Sequence, residues 1–356
     1  MKKTALFAPC FVLAASAVAF GNNVEGKDEK KEAAPAATAT AAPAAATPAA
    51  ASTAPKKKEW KAARFDGSLI VFDQSIGLGS FVSNEFARNT LYSLALDLQP
   101  KYNLTEKLYV GGRFILSKEL TNNFATSTTS PGQVTASDLQ LSVGYKPLWE
   151  PIKNLKLSAA FTTYLPTSLA SQYANLVVAF SPSVSLSYKL WKFDLSYGLI
   201  FRKNLNLTDS PTVKSSEDIA PVRNGGAEAV SADQTAVGGN NVSFSLTNRL
   251  MAVANFTDKL SLTLMLLITN SFAYNSFTVD ETSGTGAKAG RGQRDTTWGT
   301  IDMSYSLTDH WGLSLGVTSY QSAKTSDGQS IRFPFFDFRS FADNNTSFYF
   351  DVSYTF

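Results

Sequence analysis

Apolar and polar positions alternate with a period of two through most of the chain beyond residue 65. The clearest run is the last one, where Phe348, Phe350, Val352, Tyr354 and Phe356 form one face and Ser347, Tyr349, Asp351, Ser353 and Thr355 the other. Successive side chains of a strand point to opposite faces, so this pattern predicts a strand between two different environments. Twelve strands are predicted, near 66–74, 90–103, 107–119, 138–148, 154–165, 175–189, 192–203, 242–254, 259–272, 296–307, 311–322 and 344–356. The alternation is least regular in the first, around Ser68 to Phe72. Each strand has about the 9–11 residues that a tilted strand needs to cross a hydrocarbon layer. Short connections (Leu104-Thr105-Glu106, Trp149 to Lys153, Leu190-Trp191, Thr257-Asp258, Thr308-Asp309-His310) alternate with long ones at 75–89, 120–137, 166–174, 204–241, 273–295 and 323–343.

One face of several strands is wholly apolar: Leu260, Leu262, Leu264, Leu266 and Ile268, or Phe193, Leu195, Tyr197 and Leu199. Soluble strands rarely turn five consecutive aliphatics toward water. Tyr102, Tyr145, Trp149, Tyr188, Trp191, Phe256, Trp311 and Phe356 fall beside the short connections, as an interfacial aromatic girdle would. Ending on Phe356 with Tyr354 two places earlier, the final strand resembles the closing strand of Gram-negative outer-membrane β-barrels. Their short and long connections alternate in the same way.

The resemblance spans residues 65–356 and implies an all-β, transmembrane antiparallel β-barrel of about twelve strands, porin-like, in the cell outer membrane. It further implies that the barrel-assembly machinery reads Phe356, Tyr354, Val352, Phe350 and Phe348, and that outer-membrane lipids surround the wall. An even strand count puts both termini in the periplasm.

The start of the chain agrees with export. Lys2 and Lys3 precede an apolar run from Ala5 to Phe20, and Ala17-Val18-Ala19 has the small-x-small form of a cleavage site, so 1–19 is expected to be a signal peptide. The single cysteine, Cys10, lies inside that run and not at its end, which argues against lipidation. Cleavage would leave no cysteine, and therefore no disulfide and no thiolate chemistry. Loss of Lys2 and Lys3 lowers the formal charge from +3 to +1, which gives no reason to expect nucleic acid.

Residues 20–64 are expected to be a disordered periplasmic tether. Ala33 to Pro55 is nearly all Ala, Thr and Pro, too little to bury a core. Lys56, Lys57, Lys58, Lys61 and Arg64 surround Trp60, either as a solvated linker end or as an anchor on anionic headgroups. A mean hydropathy of −0.07 with 12% aromatics suits a barrel, whose every second side chain faces water. A soluble β-sandwich is the plainer alternative, and export together with the final strand speaks against it.

The inward positions are dominated by small polar residues, among them Ser142, Gly144, Ser158, Ala160, Ser181, Ser183, Ser185, Ser187, Ser243, Ser245, Ser261, Thr263, Gly312, Ser314 and Gly316. Twelve strands give a backbone radius of roughly 12 Å, and serines fill such a lumen poorly, so water is its expected occupant. Asp97, Arg113, Arg249, Asp302 and Asp351 lie nearest mid-height and are the candidates for solute or ion selectivity. Asp97 and Arg113 sit on the two arms of one hairpin, where they could simply satisfy each other. Near-balance of acids and bases predicts weak selectivity of undetermined sign. Lys101, Lys146, Lys156 and Lys189 fall nearer the periplasmic end. In the 323–343 loop, Phe333, Phe335, Phe336 and Phe338 are dense enough to extend a hairpin above the membrane, to plug the lumen, or to offer rings to sugar or lipid.

An enzyme is not expected. Near-neutral general-base work usually falls to histidine, and the only one, His310, lies in a short turn beside Asp309. No phosphate loop, metal spacing or nucleophile elbow appears, so neither a metal nor a cofactor is predicted. The reading is a passive diffusion channel for small hydrophilic solutes. Its rival is a structural or surface-interaction barrel, closed by loops, whose tail contacts the cell wall or a partner. A hydrophobic-solute transporter would need an apolar inward path, which the inward residues just named do not supply.

Overall fold

The computed structural model describes residues 65–81, 92–121, 132–209, 211–214, 229–231, 234–236, 240–277, 290–325, 330–337 and 345–356. The expected signal peptide, the tether with Trp60, and Phe338 lie outside the described residues.

Twelve antiparallel strands form the wall. They are β1 (Leu69–Gly77), β2 (Tyr92–Gln99), β3 (Leu108–Glu119), β4 (Leu139–Ile152), β5 (Leu155–Leu165), β6 (Leu176–Leu190), β7 (Phe193–Asn206), β8 (Val242–Asn255), β9 (Leu260–Phe277), β10 (Gly290–Ser306), β11 (Trp311–Ser322) and β12 (Asn345–Thr355). Pro100, which has no N–H to give the ladder, separates β2 from Lys101–Asn103, yet both pieces keep one register against β3. A short piece, Val134–Ala136, pairs with the top of β3 just ahead of β4. β1 pairs with β2 on one side and with β12 on the other, Leu69 facing both Gln99 and Thr355. The sheet is therefore a closed barrel with no free edge.

The registers fix the barrel's shape. Following partners once around the wall returns to β1 about 16 residues farther along, which tilts the strands about 40° and sets the backbone radius near ~12–13 Å. Strand positions follow the sequence pattern closely, with the main departures in β1, β4, β9 and β10. β1 is shifted toward the long connections, β9 and β10 run several residues past the expected 272 and 296, and β4 continues past a cis Lys146–Pro147 bond to Ile152.

Three of the short turns share one local device. Thr105, Thr257 and Thr308 each use Oγ1 to accept the N–H three residues on, from Leu108 at 2.8 Å, Leu260 at 2.9 Å and Trp311 at 3.0 Å. The hydroxyl satisfies a backbone donor that a tight turn would leave bare. His310 belongs to the third turn, where its Nδ1 lies 2.8 Å from the Thr355 carbonyl.

Outward side chains are apolar over a broad band. Leu141, Phe161, Val184, Leu195, Leu264, Met303, Leu315 and Phe350 are all exposed, from 39% at Phe350 to 58% at Leu315. Trp149, Trp191, Trp311 and Phe356 are exposed beside the short turns. So continuous an apolar surface exceeds the patches a water-soluble monomer shows. No helix among the described residues is long and apolar enough to cross a membrane.

Candidate functional site: the charged ring in the lumen

The inward side chains at mid-height form the candidate site. Registers and tilt together bring Asp73 (β1), Asp97 (β2), Arg113 (β3), Arg249 (β8), Asp302 (β10) and Asp351 (β12) within about 5 Å of one level. All five sequence candidates therefore share a ring. Asp73 is a sixth member that sequence reasoning missed, because the blurred alternation of the first strand hid which of its residues face inward. The acids cluster on β10, β12, β1 and β2, while Arg249 stands on the far side.

Asp97 and Arg113 form a buried ion pair. The guanidinium donates through Nε to both carboxylate oxygens (3.1 and 3.0 Å) and through an Nη to one of them at 2.6 Å. The side chains are only 1% and 6% exposed. Gln99 is a second partner of Asp97, donating to it at 2.9 Å. Asp302 accepts from Tyr349 Oη at 2.8 Å and from the Ser304 hydroxyl. Asp73 accepts from Ser75 at 2.8 Å and faces Asp351 directly across the β1–β12 ladder. No hydrogen-bond donor reaches either Asp351 oxygen among the described residues. Two ionised carboxylates directly opposite one another would weaken the ladder, and a proton shared between them would relieve that cost.

The ring is closed to solvent in this conformation. Asp97, Asp302 and Asp351 are each 1% exposed, and Ser181, Ser314, Ser353, Thr162 and Thr300 are buried as well. The expectation that small side chains leave a water-filled bore is corrected here, for a packing reason. Glycines and serines of one strand make room for large side chains of the next. A Cβ on Gly316 would lie 2.4 Å from Tyr349 Oη and 2.5 Å from the Ile301 carbonyl oxygen, so the tyrosine lies flat across the glycine. An apolar group also faces inward: Met265, Leu267 and Trp298 pack together with Met251 and Tyr320 beside them. Trp298 Nε1 donates to Thr318 at 2.6 Å. Parity along β9 places Met265 and Leu267 on the same face as Ser261 and Thr263, so this group was legible from the sequence had the inward positions been followed farther up. Between Tyr109 and Arg249, a cavity of about 20 Å³ lined also by Ser158, Ser183 and Ser185 has room for about one water.

Other charges are absorbed locally. Lys101 and Lys146 hold their ammonium groups 5.5 and 5.1 Å from the Tyr109 ring, and Lys189 lies 3.6 Å from Asp194. Nearer the end with the long connections, Arg202 stacks 4.2 Å from the Tyr164 ring and approaches Asp138 at 4.0 Å. Asp138 in turn accepts from Ser168 and Ser171, which anchors the short helix Leu169–Tyr173 of the β5–β6 connection. Among the described residues, no three His, Cys, Asp or Glu side chains are placed to hold a metal ion.

The Phe-rich segment lies on the outer wall. Gln321, which shares the outward face of β11 with Leu315 and Val317, donates to the Phe333 carbonyl at 2.6 Å. The Asp337 N–H donates to outward-facing Thr346 at 3.0 Å. A Cβ on outward-facing Gly299 would lie 2.3 Å from the Pro334 carbonyl oxygen. Phe333, Phe335 and Phe336 group their rings there, 4.8 Å apart for Phe333 and Phe336. In β12, Phe348, Phe350, Val352 and Tyr354 face outward, and Tyr354 packs edge-on to Trp311 and Phe356.

No family model and no curated relative matches the chain. Among solved structures, an outer membrane channel from Pseudomonas putida F1 is 14% identical, covering 86% of this chain and 100% of its own, with a TM-score of 0.48. The NanC porin is 8% identical over 81% of this chain and 98% of its own, TM-score 0.42. The CymD monoaromatic hydrocarbon channel is 9% identical over 82% and 89%, TM-score 0.41. The barrel of the present chain stands on its own strand pairing.

Proposed function

We propose that this chain is an outer-membrane channel that lets small hydrophilic solutes diffuse through a narrow, side-chain-gated lumen. The observation that carries the reading is the ring itself: acids of β10, β12, β1 and β2 face Arg249 across the inside of a barrel whose outside is apolar. Burying six ionisable side chains at one inward level is costly, and a solute path past them would give that arrangement a use. Water and ions passing the ring would need Tyr349 to swing off Gly316 and the Met265–Trp298 group to part, both of which are side-chain motions in a fixed wall. Four carboxylates against two guanidiniums favour cations over anions.

Swelling of proteoliposomes in solutes of graded size tests this. Small sugars and amino acids should enter faster than in protein-free vesicles, and a disaccharide should enter far more slowly. No solute-dependent swelling from folded protein, with Tyr349→Ala equally inert, would remove the channel reading and leave a structural barrel.

A further inference from the structure

On β10, β11 and β12 the outward rows climb from Met303, Leu315 and Phe350, through Ile301, Val317 and Phe348, to Gly299, Ser319 and Thr346. The first two rows are apolar and the third is not. At that same level β6, β7 and β9 still turn Phe180, Phe201 and Ile268 outward. The apolar band thus has a gap three strands wide, where hydroxyls and a bare glycine backbone would meet hydrocarbon. That gap is where the 331–337 segment lies. Ser319 and Thr346 are fully buried beneath it and Arg332 and Asp337 of the segment itself are nearly so, whereas Ile331 is 82% and Phe333 53% exposed. Arg332 N–H donates to the Ala323 carbonyl at 3.0 Å, so the segment leaves the β11 hairpin and folds back down the outside wall.

We propose that this segment is a lipid-facing patch. It covers the polar row of β10–β12 with its backbone and presents Phe333, Phe335 and Phe336 to the acyl chains of the outer leaflet, completing the band. Gly299 is the seat, because its missing Cβ is what admits the Pro334 carbonyl. The inference rests on the membrane reading of the outer wall, and Leu315, in the lowest of the three rows, serves as the control for that reading.

The test uses the full chain carrying Cys10→Ser, with either Phe333→Cys or Leu315→Cys labelled by a bimane fluorophore. The labelled proteins are folded into phosphatidylcholine vesicles whose acyl chains carry bromine, and iodide serves as the aqueous quencher. The Phe333 probe should be quenched by the bromolipid to within about twofold of the Leu315 probe, and poorly by iodide. Adding Gly299→Val should exchange those sensitivities at Phe333 alone, with the folded band on unheated gels retained. Iodide quenching without lipid quenching at Phe333, while Leu315 responds to lipid, overturns the patch and spares the membrane reading. Shielding from both quenchers with cross-linking between copies assigns the patch to a second copy and overturns lipid contact. Lipid-insensitive Leu315 removes the membrane reading and this inference with it.

Discussion

Replacing Arg113 by alanine measures how dry the lumen is at the ring. Asp97 would lose three charge-assisted hydrogen bonds and keep only the one from Gln99. Breaking a buried ion pair on one side costs about 3–5 kcal/mol, because the remaining charge stays uncompensated. In an open aqueous bore the same pair would be screened and worth about 0.2–1 kcal/mol. At 1% and 6% exposure the buried regime applies, so Arg113→Ala should lower the unfolding free energy by about 3–5 kcal/mol. The double variant Asp97→Asn/Arg113→Met, which removes both charges, should fall within about 1–2 kcal/mol of the parent, since well-packed replacements of buried pairs are often neutral. The assay is guanidinium unfolding of vesicle-embedded protein followed by tryptophan emission, arranged as a double-mutant cycle. A loss below about 1 kcal/mol for Arg113→Ala would refute the closed ring and point to a hydrated bore.

Other expectations follow from the same contacts. Gly316→Val should push Tyr349 off the wall, lowering stability by about 1–3 kcal/mol through overpacking and raising conductance. Asp351→Asn removes one of two facing carboxylates, so unfolding should be no easier than for the parent, and the reversal potential in a salt gradient should shift toward anions. Thr257→Val deletes the turn hydroxyl that accepts from Leu260 and should cost about 0.5–1.5 kcal/mol with conductance unchanged. Phe356→Asp should reduce the amount of folded chain reaching the outer membrane while leaving in vitro refolding largely intact, as measured by heat-modifiable mobility.

Strand number, order and most boundaries were readable because the period-2 pattern is strict wherever one face meets an apolar medium. Leu260 to Ile268 and Phe348 to Phe356 admit no other register. β1 was harder, since Ser68, Leu69, Ile70, Val71 and Phe72 give no clear alternation, and Asp73 was lost with it. The other five ring residues were legible one by one, but the ring's closure was not. Whether Gly316 and Ser314 mean empty space depends on whether a neighbour such as Tyr349 leans over them, and that is a cross-strand fact invisible in either strand alone. The position of Phe333 to Phe336 was hidden for a similar reason. Their density marked them, yet only the polar row at Gly299, Ser319 and Thr346, brought together by three strand registers, explains which side of the wall they cover.

Single-channel recording in a planar bilayer, comparing the parent chain with Tyr349→Ala, tests the proposed channel most directly. The parent should give small, intermittent steps proportional to salt, with cations preferred, and the variant should give steps several-fold larger and longer-lived. Silence from both folded proteins would contradict a channel, and equally large, stable steps from both would contradict a ring closed by side chains.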